Sequence, residues 1–136
     1  MEIRRPILKP FSKDKFELVQ EYEYKDIIVP ADFKTNGADI PRIFWSIFPP
    51  NSPEYLSAIV VHDWLCKLAD PTNFTEAEEI FFFNLPKPWQ DITIGARYKI
   101  ADKYLKEMMS ELGCSRLKTW IFYTACRIYH KFKYGA

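Results

Sequence analysis

The hydrophobic pattern of this chain changes once, from the alternation typical of strands to the spacing typical of helices. Apolar residues and glutamates alternate over residues 16–24, and Ile27–Val29 adds a short apolar run that ends at Pro30. A period of two predicts half-buried strands, so we expect the two segments to pair as a small sheet. The order predicts an α+β fold, in which a small N-terminal antiparallel sheet precedes about four helices.

The first two predicted helices are identified by their start signals. Ser52, followed by proline and glutamate, is placed to open a helix that runs to about residue 68. A capping box at Thr75 predicts a short second helix over residues 75–83. Two prolines follow, so residues 85–89 are predicted to be a connector.

The last two predicted helices are identified by spacing and by caps. Apolar residues recur at helical intervals over residues 94–112, and Gly113 is placed to end that helix. Ser115 is placed to cap a final helix that runs to about residue 133. We see no internal repeat or linker and expect a single domain over residues 1–136.

Composition limits the class of protein. A hydrophobic content of 48% in 136 residues argues against disorder, and a net charge of +1 gives no general attraction to nucleic acid. Three widely spaced cysteines do not suggest a disulfide framework. The N-terminus does not resemble a signal peptide, and no apolar run is long enough for a membrane span. We therefore expect a cytoplasmic protein, with association with a virion as a further possibility.

The pair His62-Asp63 is the strongest candidate for a functional site. It lies inside the apolar run over residues 58–66, where a charge without a partner is costly. Adjacent helical residues point about 100° apart, so the two side chains can do separate jobs, one as a base and the other as a metal ligand. Asp102 lies on the flank of a later apolar stripe and is the leading candidate to orient His62.

A structural interpretation of the pair stays open. A histidine in an apolar helix is often a core residue that is hydrogen-bonded to a backbone carbonyl. Asp63 could cap a helix or pair with Lys67 four residues later.

The segment over residues 35–41 is a candidate calcium loop. It contains Asn36, Gly37 and Asp39 and ends at Pro41, a composition that favours a tight turn with several oxygen atoms. The alternative is an ordinary turn that leaves the sheet.

Zinc is a competing interpretation that we do not favour. His62 and Cys66 are four residues apart, as are Cys126 and His130, and the four side chains could form a tetrahedral site. A cysteine in an apolar helix is more often a packing residue, and nothing in the sequence aligns the two helices.

Two segments raise the question of a lipid surface. Residues 43–50 concentrate large apolar side chains, which could form a rim at a bilayer or fill the core. Residues 114–136 contain five basic residues and no acids, interleaved with aromatic residues. An anionic surface would suit that segment, although basic residues near a helix C-terminus also complement the helix dipole.

Three motifs resemble an uncharacterised domain family of tailed phages, prophages and bacteria. They are VPADFKTNGADIPRIFW over residues 29–45, HDWLC over residues 62–66, and Ala101-Asp102. The resemblance covers most of residues 27–130. It implies a phage or prophage setting and no particular chemistry.

The order of a glycine-containing loop, a helical His-Asp pair and a later aspartate is similar to the phospholipase A2 superfamily. This resemblance implies that His62 is the general base, that Asp63 binds calcium together with the loop at Asn36, Gly37 and Asp39, and that Asp102 orients His62. Cys66 stands where that superfamily commonly has tyrosine, and Asn36 stands where the phage family usually has aspartate.

These features lead to two functional hypotheses. The first is a calcium-assisted, phospholipase A2-like ester hydrolase of phage or prophage type. The second is a noncatalytic phage protein, associated with the virion or with a host protein, in which the same residues form a buried structural network. The expected partners are a phospholipid membrane surface or a phage or host protein, and we do not expect nucleic acid.

Overall fold

The N-terminal part of the chain folds into two small antiparallel sheets. A computed structural model describes residues 6–12, 15–25, 27–35, 55–70 and 87–134. Its strands are β1 (Leu8–Ser12), β2 (Lys15–Leu18), β3 (Tyr22–Tyr24), β4 (Ile27–Val29) and β5 (Lys34–Thr35). One sheet has the order β1-β2-β5, and the other pairs β3 with β4.

The predicted antiparallel sheet is confirmed, but the single strand predicted over residues 16–24 is wrong. That segment divides into β2 and β3, which belong to different sheets. The division occurs because the amide of Leu18 donates to the carbonyl of Phe33, which holds β2 beside β5. The strand β3 instead pairs with β4, where Tyr22 lies opposite Val29.

Three long helices and one short helix follow in the described part of the chain. They are α1 (Leu56–Ala69), α2 (Lys87–Gln90), α3 (Ile94–Glu111) and α4 (Arg116–Tyr134). The α+β class is therefore confirmed. The predicted start at Ser52 and the predicted helix over residues 75–83 lie outside the described residues. The short α2 overlaps residues 85–89, which were predicted to be a connector.

The predicted caps of the last two helices are present. The structure ends α3 at Glu111, and Gly113 follows with a φ of 87°, a conformation that glycine adopts without steric cost. The amide of Gly113 donates to the carbonyl of Ser110 at 3.1 Å. Ser115 accepts a hydrogen bond from the amide of Lys118 at 3.1 Å, as expected of an N-cap.

The helix α1 is the centre of the fold, since all but two of its residues are buried. It packs against α3 and contacts the strands β4 and β5, while α4 packs against α3. Trp64 meets Phe33 edge to face, with ring centroids 5.2 Å apart, which fixes α1 on the sheet. No helix in the described ranges is long and apolar enough to cross a membrane.

Candidate functional site

The buried helix α1 directs its His-Asp pair toward two different elements. His62 faces Asp102 on α3, whereas Asp63 faces Thr35 at the end of β5. This divergence follows from the angle of about 100° between successive residues of a helix. The pair is therefore two neighbouring sites rather than one.

The first site is the contact between His62 and Asp102. The Nε2 atom of His62 lies 2.7 Å from Oδ1 of Asp102, and both side chains are fully buried. The structure thus brings these two predicted residues together. Their roles as base and orienting group stay predictions, because proximity alone also fits a structural network.

Asp102 also binds two side chains from α4. The Nδ1 atom of His130 lies 2.8 Å from Oδ2, and Nη1 of Arg127 donates to the same oxygen at 2.9 Å. Three donors therefore surround one carboxylate. Nothing in the sequence distinguished Arg127 from the other basic residues of α4, and His130 was considered only as a zinc ligand. Arg127 and His130 are three residues apart, which puts both on one side of a helix. This spacing could have predicted that they contact the same group.

The electrostatics of this cluster favour an ionised Asp102. Burial of the carboxyl raises its pKa, but the hydrogen bonds from His130 and His62 outweigh this effect, so the pKa of Asp102 lies below its ordinary value. An ionised carboxylate can only accept hydrogen bonds. We therefore assign donation to Nε2 of His62 and to Nδ1 of His130.

Aromatic rings hold His130 on its other side. The ring of Tyr98 lies 4.6 Å from the ring of His130, and it stacks on Tyr134 at 4.0 Å. The two tyrosine hydroxyls are 3.1 Å apart. This contact fixes the last turn of α4 against α3, and it keeps the His130 imidazole beside Asp102.

Cys66 packs against His62 one helical turn away. Its Sγ atom lies 3.5 Å from Nε2 and 4.0 Å from Nδ1 of His62. Asp102 receives its additional hydrogen bonds from His130 and Arg127.

The second site is built on Asp63. The Thr35 hydroxyl donates a hydrogen bond to Oδ2 of the buried Asp63 carboxylate. Thr35 is the first residue of the predicted calcium loop, and Asn36, Gly37 and Asp39 lie outside the described residues. The structure therefore places Asp63 beside the strand that leads into the loop. The predicted binding of calcium by these residues stays a prediction.

The potential metal ligands that lie close together do not match the predicted zinc site of two histidines and two cysteines. Atoms of His62, Asp102 and His130 lie within 4.8 Å of one another. Ligands that share a tetrahedral zinc ion with bonds of about 2.0–2.1 Å lie about 3.3 Å apart. The contacts of 2.7 and 2.8 Å to Asp102 are shorter and have the length of charge-assisted hydrogen bonds. The positive Arg127 at Oδ2 also disfavours a second cation there.

Comparisons with known proteins give a family but no activity. The family described as "Protein of unknown function (DUF1353)" matches residues 14–126, which include Thr35, His62, Asp63 and Asp102. "Uncharacterized protein y4jT" of Sinorhizobium fredii (strain NBRC 101917 / NGR234) is 36% identical over 63 residues. The match covers 42% of this chain and 19% of that protein, so the chain corresponds to a minor part of its relative. No solved structure shows a significant match. Because the family match spans most of its length, the chain belongs to the DUF1353 family.

Proposed function

We propose that this chain is a phage- or prophage-type ester hydrolase with a phospholipase A2-like site, in which His62 is the general base. The observation that carries the proposal is the buried contact of 2.7 Å between Nε2 of His62 and Oδ1 of Asp102. A carboxylate on one ring nitrogen selects the tautomer and stabilises the imidazolium that forms when the other nitrogen takes a proton. The similarity of the sequence motifs to phage and prophage proteins supports the setting.

The direction of this hydrogen bond determines which nitrogen could act. Because Nε2 donates to Asp102, the Nδ1 atom of a neutral His62 carries the lone pair. Nδ1 would take a proton from a water molecule as the water oxygen attacks the ester carbonyl carbon. The same proton would then pass to the alcohol oxygen as the carbon–oxygen bond breaks. Base and acid are thus one group, and no other proton donor is needed.

Asp63 is the candidate metal ligand in this mechanism. The described donors at this position are the carboxylate of Asp63 and the hydroxyl of Thr35, and oxygen donors fit calcium better than zinc. We propose that Asn36, Gly37 and Asp39 complete the calcium site. Bound calcium would polarise the ester carbonyl and stabilise negative charge on its oxygen.

The two α4 residues serve the base indirectly. Nδ1 of His130 lies 2.8 Å from Oδ2 and 2.9 Å from Oδ1 of Asp102, and Arg127 donates to Oδ2, so the carboxylate is held beside His62. The hydrogen bond from His130 also helps to lower the pKa of Asp102. His130 and Arg127 are positioning residues in this proposal, because neither contacts the nitrogen that would take the proton in the described part of the chain.

The test is hydrolysis of phospholipid vesicles with calcium and with a chelator. We expect fatty acid release that requires calcium, is abolished in His62→Gln and is reduced in Asp102→Asn. The matched control is Asp32→Asn, because Asp32 is exposed and has a φ of 69°, which asparagine also adopts readily. Circular dichroism of each variant verifies that it is folded.

Calcium binding is tested separately by thermal unfolding. Calcium should raise the melting temperature of the wild type and of Asp32→Asn but not that of Asp63→Asn, because only the folded site binds the ion. Absence of hydrolysis on every vesicle, together with absence of calcium stabilisation in the wild type, would reject the hydrolase.

A noncatalytic phage protein is the second candidate, and the completeness of the network favours it. His62 and Asp102 are fully buried, and both oxygens of Asp102 already accept hydrogen bonds. Buried networks of this kind can specify the arrangement of a core without any reaction. In that case the wild type would hydrolyse no ester, and His62→Gln would lower the stability of the fold. The protein would then act by binding a virion or host protein.

A further inference from the structure

The helix α4 has a second apolar face on the side opposite the candidate site. Its buried face consists of Thr119, Phe122, Cys126 and His130. Large apolar residues also point outward, with exposed fractions of 68% for Leu117, 61% for Trp120, 66% for Ile128 and 93% for Phe132. With about 100° between successive residues, these four lie within roughly 120° of the helix circumference. They form one stripe, which we call the outer face of α4.

Basic residues accompany this stripe. The sequence of α4 contains Arg116, Lys118, Arg127, Lys131 and Lys133 and no aspartate or glutamate. Arg116 and Lys131 are exposed and lie beside or within the stripe, so the outer face combines apolar side chains with positive charge. A helix with an apolar stripe and lysine or arginine beside it is typical of proteins that lie in the interface of an anionic membrane.

A groove extends the outer face at the start of α4. It has a volume of about 790 Å³, and its lining includes Leu117 and Trp120 together with the basic residues Lys106 and Arg116. Apolar and positive groups thus meet again where α3 and α4 join. The combination suits a ligand that offers both an acyl chain and a negative head group.

Charge and chemistry select among the possible occupants of this face. A second copy would bring two faces of the same positive charge together, which disfavours self-association. Nucleic acid would satisfy the basic residues but offers little to aliphatic and phenyl side chains such as Ile128 and Phe132. An anionic bilayer satisfies both groups, because the head groups attract the charges and the acyl region accepts the apolar side chains.

We propose that the outer face of α4 docks onto the surface of an anionic phospholipid bilayer. Leu117, Trp120, Ile128 and Phe132 enter the boundary between head groups and acyl chains, while Arg116 and Lys131 contact lipid phosphates. The inference does not depend on the proposed hydrolase chemistry, because His130 and the rest of the site lie on the other side of the helix.

The test is co-sedimentation with vesicles of equimolar phosphatidylcholine and phosphatidylglycerol, with vesicles of phosphatidylcholine alone as the lipid control. We expect binding to the anionic vesicles that weakens as salt is added. Phe132→Ser and Trp120→Ser should each weaken binding about tenfold, as expected when a large apolar side chain no longer enters the acyl region. The double change of Arg116 and Lys131 to serine should weaken it about tenfold or more, since each basic residue near an anionic surface contributes severalfold.

Val19→Ser is the matched control for the apolar changes. Val19 is 51% exposed but lies in the turn after β2, away from α4, so its replacement should leave vesicle binding unchanged. Binding of vesicles without hydrolysis would support the docking face and reject the hydrolase. Hydrolysis without binding through α4 would reject only the docking face.

Several outcomes would overturn the proposal. These are no binding of the wild type, equal binding to both vesicle types, or unchanged binding of Phe132→Ser. Sedimentation equilibrium provides a further test without lipid. A wild-type dimer that Phe132→Ser converts to a monomer would assign the face to a second copy of the chain. Salt-sensitive binding of nucleic acid, with no binding of vesicles, would assign the basic residues to that ligand instead.

Discussion

Replacement of Asp102 with asparagine tests how much of the fold depends on the buried network. Asparagine keeps the size of the side chain but removes its charge and turns one acceptor into a donor. Three donors contact Asp102 at 2.7, 2.8 and 2.9 Å, and an amide oxygen can satisfy only part of this set. The variant therefore isolates the loss of charged hydrogen bonds from any loss of packing.

The expected cost of Asp102→Asn is about 3–4 kcal/mol. A hydrogen bond to a charged group contributes about 1.5–3 kcal/mol, and at least two of the three weaken in the variant. The side chain of Arg127 is 15% exposed and can recover part of its loss through water, whereas His62 and His130 are fully buried. A cost of this size lowers the melting temperature by about 10 °C in a domain of this length.

The assay is urea unfolding at pH 7, monitored by circular dichroism. Asp32→Asn makes the same chemical change at an exposed turn and should stay within about 0.5 kcal/mol of the wild type. If Asp102→Asn cost less than about 1 kcal/mol, the three contacts would not form a stabilising network, and the interpretation of the site would fail.

The pH dependence of this difference gives a second measurement. The pKa of Asp102 is lower in the folded chain than the value of about 3.9 in an unfolded chain. A lowered folded value means that the contribution is present above the unfolded pKa and is lost as the pH falls through the folded one. The stability difference between wild type and variant should therefore be full at pH 7 and should shrink below about pH 4. A difference that stays constant down to the lowest pH at which both proteins fold would contradict an ionised Asp102.

Three further replacements test contacts that position the site. Arg97→Met removes hydrogen bonds from a buried guanidinium to the carbonyls of Ala69, Trp89 and Gln90. It should lower the free energy of unfolding in urea by about 2–4 kcal/mol. An unchanged free energy would show that these carbonyls find other donors. Gly113→Ala should cost about 1 kcal/mol from backbone strain alone, because an added Cβ would meet nothing within 4 Å, and a stabilised variant would disprove the strained conformation. Thr93→Ala removes the acceptor for the amide of Ala96 and should lower stability by about 1 kcal/mol, whereas Thr93→Ser should not.

The features that the sequence predicted correctly are mainly local ones. The helix α3, its end before Gly113 and the cap at Ser115 depend on residues a few positions apart, so their patterns were readable. The division between β2 and β3 was not, because it depends on the distant bond from Leu18 to Phe33. The strand β5 has only two residues, which is too short to show an alternating pattern.

The candidate site shows the same limit. The apolar run around His62 and the apolar stripe flanked by Asp102 predicted that the two side chains would lie close together, and they do. The contacts of Arg127 and His130 depend on how α4 is rotated and shifted against α3, and one sequence does not determine that register. The sequence predicted Thr35 to be part of a loop, whereas in the structure its hydroxyl donates a hydrogen bond to Asp63.

The charge balance around Asp102 separates the two functional hypotheses. Arg127 already offsets the one negative charge of the carboxylate, so a proton that arrives on His62 makes the cluster net positive in a buried setting. In a hydrolase Arg127 holds the Asp102 carboxylate that orients His62, so Arg127→Gln should lower the rate of hydrolysis per folded molecule without abolishing it. In a structural network the same balance is favourable, because it leaves no net charge in the core. Arg127→Gln should then lower stability and produce no hydrolysis at any pH, so one variant measured in both assays distinguishes a proton-accepting site from a buried structural network.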